Sequence, residues 1–88
     1  MRQFKAADGT TVYEMNHGPL VIRAFRETQA SWRPRAGAWR AVVGTLNHIG
    51  VLIPHPDADI WDDQGTVTYN QRTRAAAIQT ATEWCATR

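Results

Sequence analysis

Leu20, Ile22 and Ala24 alternate with Val21, Arg23, Phe25 and Glu27. This period of two puts successive side chains on opposite faces of a strand. The first face is apolar, and the second mixes apolar with charged residues, so it is expected to be half covered. Ala38 to Leu46 repeats the pattern, with Trp39, Ala41 and Val43 set against Arg40 and Val42. Gln3 to Ala6 and Thr10 to Met15 flank Asp8-Gly9, a pair that tolerates positive φ and predicts a tight hairpin turn. Val51-Leu52-Ile53 is wholly apolar and predicts a short central strand, ended by Pro54 and Pro56. Ile60 to Asp62 and Thr66 to Asn70 are spaced to pair across Asp63-Gln64-Gly65 as a final hairpin. Thr28 to Gly37 has no period and reads as a loop or a ragged strand end.

The period changes near the end of the chain. From Gln71 to Ala86 there is no Gly or Pro, alanine recurs, and Ile78, Ala81 and Cys85 make an apolar stripe beside Ala77 and Trp84. Asn70 or Thr73 is placed to cap the start. Arg72 and Arg74 lie at the end of the macrodipole that disfavours cations, where they are either solvated or held by a contact. The expectation is therefore an α+β fold. A small antiparallel sheet of about four to six short strands is packed by one C-terminal helix, about 71–86, in a single domain spanning 1–88.

Hydrophobic residues make up 43% of the 88 positions and charged residues 20%. That balance suits one modest core rather than disorder. One cysteine, Cys85, excludes an internal disulfide and a multi-cysteine zinc site, and points to a reducing compartment. Met1 to Lys5 leads into Ala7-Asp8-Gly9 without the apolar stretch of a signal peptide, and no run is long enough to cross a bilayer. A cytoplasmic protein that does not use a membrane is expected.

The net charge of +2 is unevenly spread. Arg23, Arg26, Arg33, Arg35 and Arg40 fall in one stretch opposed only by Glu27, and Asp57, Asp59, Asp62 and Asp63 crowd another. Nine of the ten cationic residues are arginine, which favours planar, bidentate contacts.

Candidate chemistry is sparse. His17, His48 and His55 sit beside Gly, Pro or Asn in turns and lack zinc-ligand spacing. The run from Asp57 to Asp63 resembles a calcium loop until Trp61 and Asp62 occupy the positions that need an oxygen ligand and glycine. Cys85 lies on the buried stripe of the helix, away in sequence from any histidine, and Glu14 and Glu27 are far apart along the chain. No phosphate-cradling glycine loop or nucleophile elbow is present. No enzyme, metal or cofactor is expected.

What remains is an interleaving of arginine with aromatics: Arg23, Phe25, Arg26, Trp32, Arg33, Arg35, Trp39 and Arg40. Such a surface suits protein interfaces, where Trp and Arg are over-represented at hot spots, and also the stacking platforms that bind single-stranded nucleic acid. The alternative is that Phe25 and Trp39 are core while the arginines protect a sheet edge. Asp59, Trp61, Asp62 and Asp63 form a candidate second patch.

Thr66-Val67-Thr68-Tyr69, Thr73, Ala75-Ala76-Ala77, Ala81 and Trp84 together resemble the strand-then-helix ending of small phage and mobile-element α+β proteins. Anti-CRISPR-type inhibitors come first. Integrase arm-binding domains come second, because Trp39-Arg40-Ala41-Val42 looks like their aromatic-basic strand. The likeness covers a third of the chain and transfers no functional residue. It implies a non-catalytic protein–protein inhibitor or adaptor that occludes a partner's surface, the positive charge excluding an acidic DNA mimic. The partner is then a protein, including a host complex that itself binds nucleic acid. A DNA- or RNA-binding module using the Arg/Trp-rich face is the alternative, and a half-covered face or free edge invites a homodimer.

Overall fold

The computed structural model describes residues 1–28, 37–58 and 63–88. Six strands follow in chain order: β1 (Arg2–Lys5), β2 (Thr11–His17), β3 (Leu20–Arg26), β4 (Trp39–Leu46), β5 (Leu52–Pro54) and β6 (Thr66–Gln71). The helix α1 (Arg74–Ala86) closes the chain. All strand pairs are antiparallel, in the order β1-β2-β3-β4-β5, and β6 also pairs with β4. This is the α+β architecture read from the sequence.

Two hairpins use the same loop. Gly9 N donates to Ala6 O and Ala6 N to Thr10 O; Gly50 N donates to Asn47 O and Asn47 N to Val51 O. Each is a three-residue loop whose last residue takes positive φ, a conformation in which glycine carries no Cβ penalty. Asp8 Oδ1 also accepts from Thr10 N at 2.9 Å, which holds the Asp8 carboxyl below the usual carboxylate range.

The two faces of β3 separate as its alternation predicts. Ile22 and Ala24, opposite Val43 and Ala41 of β4, are fully buried under Ala77, Ala81 and Cys85 of α1. Burying a side chain such as Ile22 contributes about 1.5–3 kcal/mol. Met15, Leu20, Trp39, Val67, Ile78 and Trp84 complete the rim of this core. Alanine at 77 and 81 keeps the contact side of the helix smooth, so its backbone approaches the sheet closely. The cap is Thr73, whose Oγ1 accepts from Ala76 N at 3.1 Å. Arg74 is held by a contact, its Cζ lying 4.3 Å from the centre of the Tyr13 ring.

Two expectations need correction. Val51-Leu52-Ile53 contributes an edge strand, with Val51 and Ile53 exposed. An apolar run fits a buried strand, but here its outward side chains are left uncovered by every described element. The expected partner of Thr66 to Asn70 falls on residues 60–62, outside the described residues, and β6 pairs instead with β4. Register shifts on either side of Ala41 make this pairing irregular, and Asn70 takes a positive φ beside one of them. Val43 marks the seam where β5 gives way to β6: its N–H donates to Gly65 O, and its C=O accepts from His55 N.

Candidate binding face

The side of the sheet opposite α1 carries Arg2 and Phe4 from β1, Val12 and Glu14 from β2, Arg23 and Phe25 from β3, and Arg40 and Val42 from β4. The registers Arg2↔Glu14, Glu14↔Arg23, Arg23↔Val42 and Phe25↔Arg40 set these residues side by side. Val12, Glu14 and Val42 are buried on this side. Long flat side chains from neighbouring strands contribute to that cover.

Arg23 Nε donates to Glu14 Oε2 at 2.7 Å, and Arg2 Nε lies 3.4 Å from Glu14 Oε1. The same two guanidiniums flank the Phe4 ring, their Cζ atoms 4.8 Å (Arg2) and 5.1 Å (Arg23) from its centre. Arg40 stacks 4.7 Å from the centre of Phe25, and its Nε lies 2.7 Å from Glu27 Oε1. That last contact is ionic without hydrogen-bond alignment. Arg40 Nη2 donates to Gln64 Oε1 at 3.0 Å. The hydrogen bonds to Glu14 and Gln64 are charge-assisted, and they fix the position and plane of the Arg23 and Arg40 guanidiniums.

Between these stacks lies an open hollow of about 220 Å³, bounded by Phe4, Val12, Phe25, Val42 and Leu52 with Arg23 at its rim. The base of the β4–β5 hairpin forms one wall. The backbone of Ile53 passes so close to Gly44 that a Cβ there would lie 2.0 Å from Ile53 O. A second hollow of about 210 Å³ shares Val12 and Phe25 and runs toward Arg26 and Glu27. The face thus has an apolar floor and a border of guanidiniums held by carboxylates.

The expected arginine patch is divided. Arg23 and Arg40 share the open face. Arg26 stands opposite Trp39 in register, on the helix side, exposed and donating from Nε to Gly37 O at 3.0 Å. Trp39 is half-buried beside Tyr13, ring centres 5.8 Å apart, so it belongs to the core rim. Asp63 is exposed with φ 54°. Trp32, Arg33, Arg35, Asp59, Trp61 and Asp62 lie outside the described residues. Sequence reasoning missed Arg2 and Phe4, and it missed Glu14 and Glu27 as arginine partners. The signal was the Asp8-Gly9 turn, which sets Phe4 opposite Val12 and Arg2 opposite Glu14.

Elsewhere, His55 Nδ1 accepts from Asp57 N at 3.0 Å. In the neutral ring an accepting Nδ1 places the proton on Nε2. The ring meets Trp84 edge-on, centres 5.0 Å apart. His48 is exposed on a loop. Among the described residues no three His, Cys, Asp or Glu side chains are grouped to hold a metal ion. Burial pushes the Cys85 thiol up from its ordinary value, partly offset by the Arg88 charge. Among the described residues no helix is long and apolar enough to cross a membrane. Compared with protein-family models, curated proteins and solved structures, the chain has no significant match to any of them.

Proposed function

We propose that this chain is a non-catalytic binding module whose open sheet face docks on a protein partner. It acts as a small inhibitor or adaptor by occluding that partner's surface, in the manner of the phage-type inhibitors its C-terminal third resembles, in the cytoplasm of the host.

The observation carrying this reading is that Glu14 and Glu27 hold Arg23 and Arg40 beside Phe4 and Phe25 before any partner arrives. Side chains ordered in advance lose little freedom on binding, and arginine and aromatic residues around a desolvated centre are a hot-spot composition. The two carboxylates favour a protein over a nucleic acid. They offset guanidinium charge that would otherwise meet phosphate, and they repel a phosphate backbone.

Immobilised protein exposed to host lysate, with captured proteins identified by mass spectrometry, tests the reading. A captured protein should be retained by Gln79→Lys, on the exposed side of the helix, and lost with Phe4→Ala, provided circular dichroism shows both variants folded. Undiminished capture by Phe4→Ala sinks the proposed face. Binding to labelled DNA or RNA that weakens about a hundredfold between roughly 50 and 200 mM salt replaces the protein partner with a nucleic acid.

A further inference from the structure

β1 forms one border of the sheet and pairs with β2 alone. At the turn, Ala6 N donates to Thr10 O, so these two residues form a hydrogen-bonded pair. Such pairs alternate with non-hydrogen-bonded ones along an antiparallel ladder. Phe4↔Val12 and Arg2↔Glu14 therefore exchange bonds, while Gln3 and Lys5 turn their N–H and C=O groups outward. No described strand lies on that side. We propose that this border accepts an extended acidic segment of the partner protein, which adds to the sheet as a strand beside β1. The proposal rests on the open face being a docking face, because Arg2 and Phe4 belong to both.

Among the described residues nothing closes this border. β1 contains no proline, and it pairs with β2 residue for residue. Lysine often guards an exposed edge, yet Lys5 folds back over β2, its Nζ donating to Thr11 Oγ1 at 2.6 Å. The far border differs: β5 has three residues and ends in Pro54, which has no N–H to give.

Backbone and charge together select the occupant. Donors and acceptors that alternate along a sheet edge are matched by another peptide backbone, whereas a phosphate chain offers acceptors alone. The charged side chains of β1 are Arg2 and Lys5, both positive. Arg2, 65% exposed, shares Glu14 with Arg23, so two guanidiniums face one carboxylate. A second copy joined through β1 would bring the same two positive charges to the junction. An acidic strand supplies the missing counter-charges. In antiparallel order the residues across from Lys5, Phe4, Gln3 and Arg2 are then acidic, apolar, polar and acidic, the apolar one beside Phe4 on the open face.

The probe that follows is the blocked peptide Thr-Glu-Val-Thr-Glu-Thr, titrated to about 1 mM into the whole chain and followed by amide exchange. Exchange at Gln3 and Lys5 should slow at least about threefold, while Arg2 and Phe4, already bonded to β2, change little. N-methylation of the first Glu and the central Thr, whose amides face β1, should abolish binding. N-methylation of Val and the second Glu, whose amides face away, should not. Lysine in place of both glutamates should weaken binding at least about tenfold. Gln3→Pro removes an outward donor without touching a bond to β2, and it should abolish binding with the circular dichroism spectrum intact. Unslowed exchange at Gln3 and Lys5, equal binding of the two N-methylated peptides, or equal binding of the lysine peptide overturns the proposal, and so does a dimer of the free chain joined through β1. The N-methylated pair decides on the unaltered chain should Gln3→Pro fail to fold. A captured partner lost with Phe4→Ala but kept by Gln3→Pro overturns the added strand and leaves the docking face standing.

Discussion

Glu14 and Arg23 face each other across β2 and β3, joined by a 2.7 Å hydrogen bond on the side of the sheet away from the helix. Their side chains are only 8% and 18% exposed. The bond thus lies between the regime of exposed pairs, worth little, and that of buried pairs, whose rupture strands a charge.

Glu14→Gln should therefore destabilise the chain by about 2 kcal/mol, since the Arg23 guanidinium keeps its cover and loses its counter-charge. For a domain of this size that lowers Tm by roughly 10 °C. The double change Glu14→Met with Arg23→Leu should recover most of the loss by replacing the pair with apolar packing. Thermal melts of the three variants decide it, and an unaltered Tm in Glu14→Gln removes the pair from the structural account.

Gly44 and Gly50 should respond to alanine for different reasons. At Gly44 the added Cβ meets Ile53 O at 2.0 Å and Ile53 C at 2.8 Å, both backbone atoms that cannot swing aside. At Gly50 nothing lies within 4 Å, and the cost is the positive φ alone, about 1–2 kcal/mol. Gly44→Ala should cost about 3 kcal/mol or more by prising β5 from β4, with amide exchange accelerating first around Leu52 and Ile53. Equal losses in the two variants contradict this ranking.

These two sites also mark what the sequence could and could not convey. The faces of β3 were legible because alternation is local: Ile22 and Ala24 differ in kind from Arg23 and Glu27. The helix was legible for the same reason, but its start was not: the pattern left Asn70 and Thr73 both open as the cap and began the helix near 71, whereas Gln71 ends β6 and Thr73 is the cap. Val51-Leu52-Ile53 was not legible, since an apolar run does not state what will cover it, and its edge position depends on the close approach at Gly44. The pairing of β6 with β4 turns on a positive φ at Asn70 and on irregular register around Ala41, features absent from any hydrophobic pattern. On the open face, Arg23 and Phe25 could be assigned to one side. Glu14 as the partner of Arg23 required register, and the turn at Asp8-Gly9 held only part of that information.

The helix start is open to improvement. Thr73 caps it, yet no acidic residue occupies the first turn. Thr73→Ala should cost about 1 kcal/mol, seen as a Tm drop of roughly 5 °C. Ala75→Glu, at an exposed first-turn position, should return about 0.3–1 kcal/mol by complementing the macrodipole, and that gain should shrink in high salt. A gain indifferent to salt assigns the effect to something other than charge.

Cys85 gives stability a pH dependence of definite sign. Burial against the sheet disfavours the thiolate, so the folded thiol titrates above its ordinary value, while an unfolded chain titrates at that value. Below the ordinary range both states are protonated, and the buried thiol contributes its full packing. As pH rises through and past that range the unfolded state loses its proton first, so unfolding becomes progressively easier. Comparing the wild type with Cys85→Ala isolates the term. The alanine variant should be less stable near neutral pH because it leaves a small cavity, and the gap between the two should narrow as pH climbs above 9. Arg88→Gln removes the charge that partly offsets the burial, so it should slow alkylation of the folded thiol further. Denaturant titrations at several pH values, with iodoacetamide labelling of the native protein, measure both effects. A constant gap across pH, or faster labelling in Arg88→Gln, contradicts the assignment of the shift to burial opposed by that guanidinium.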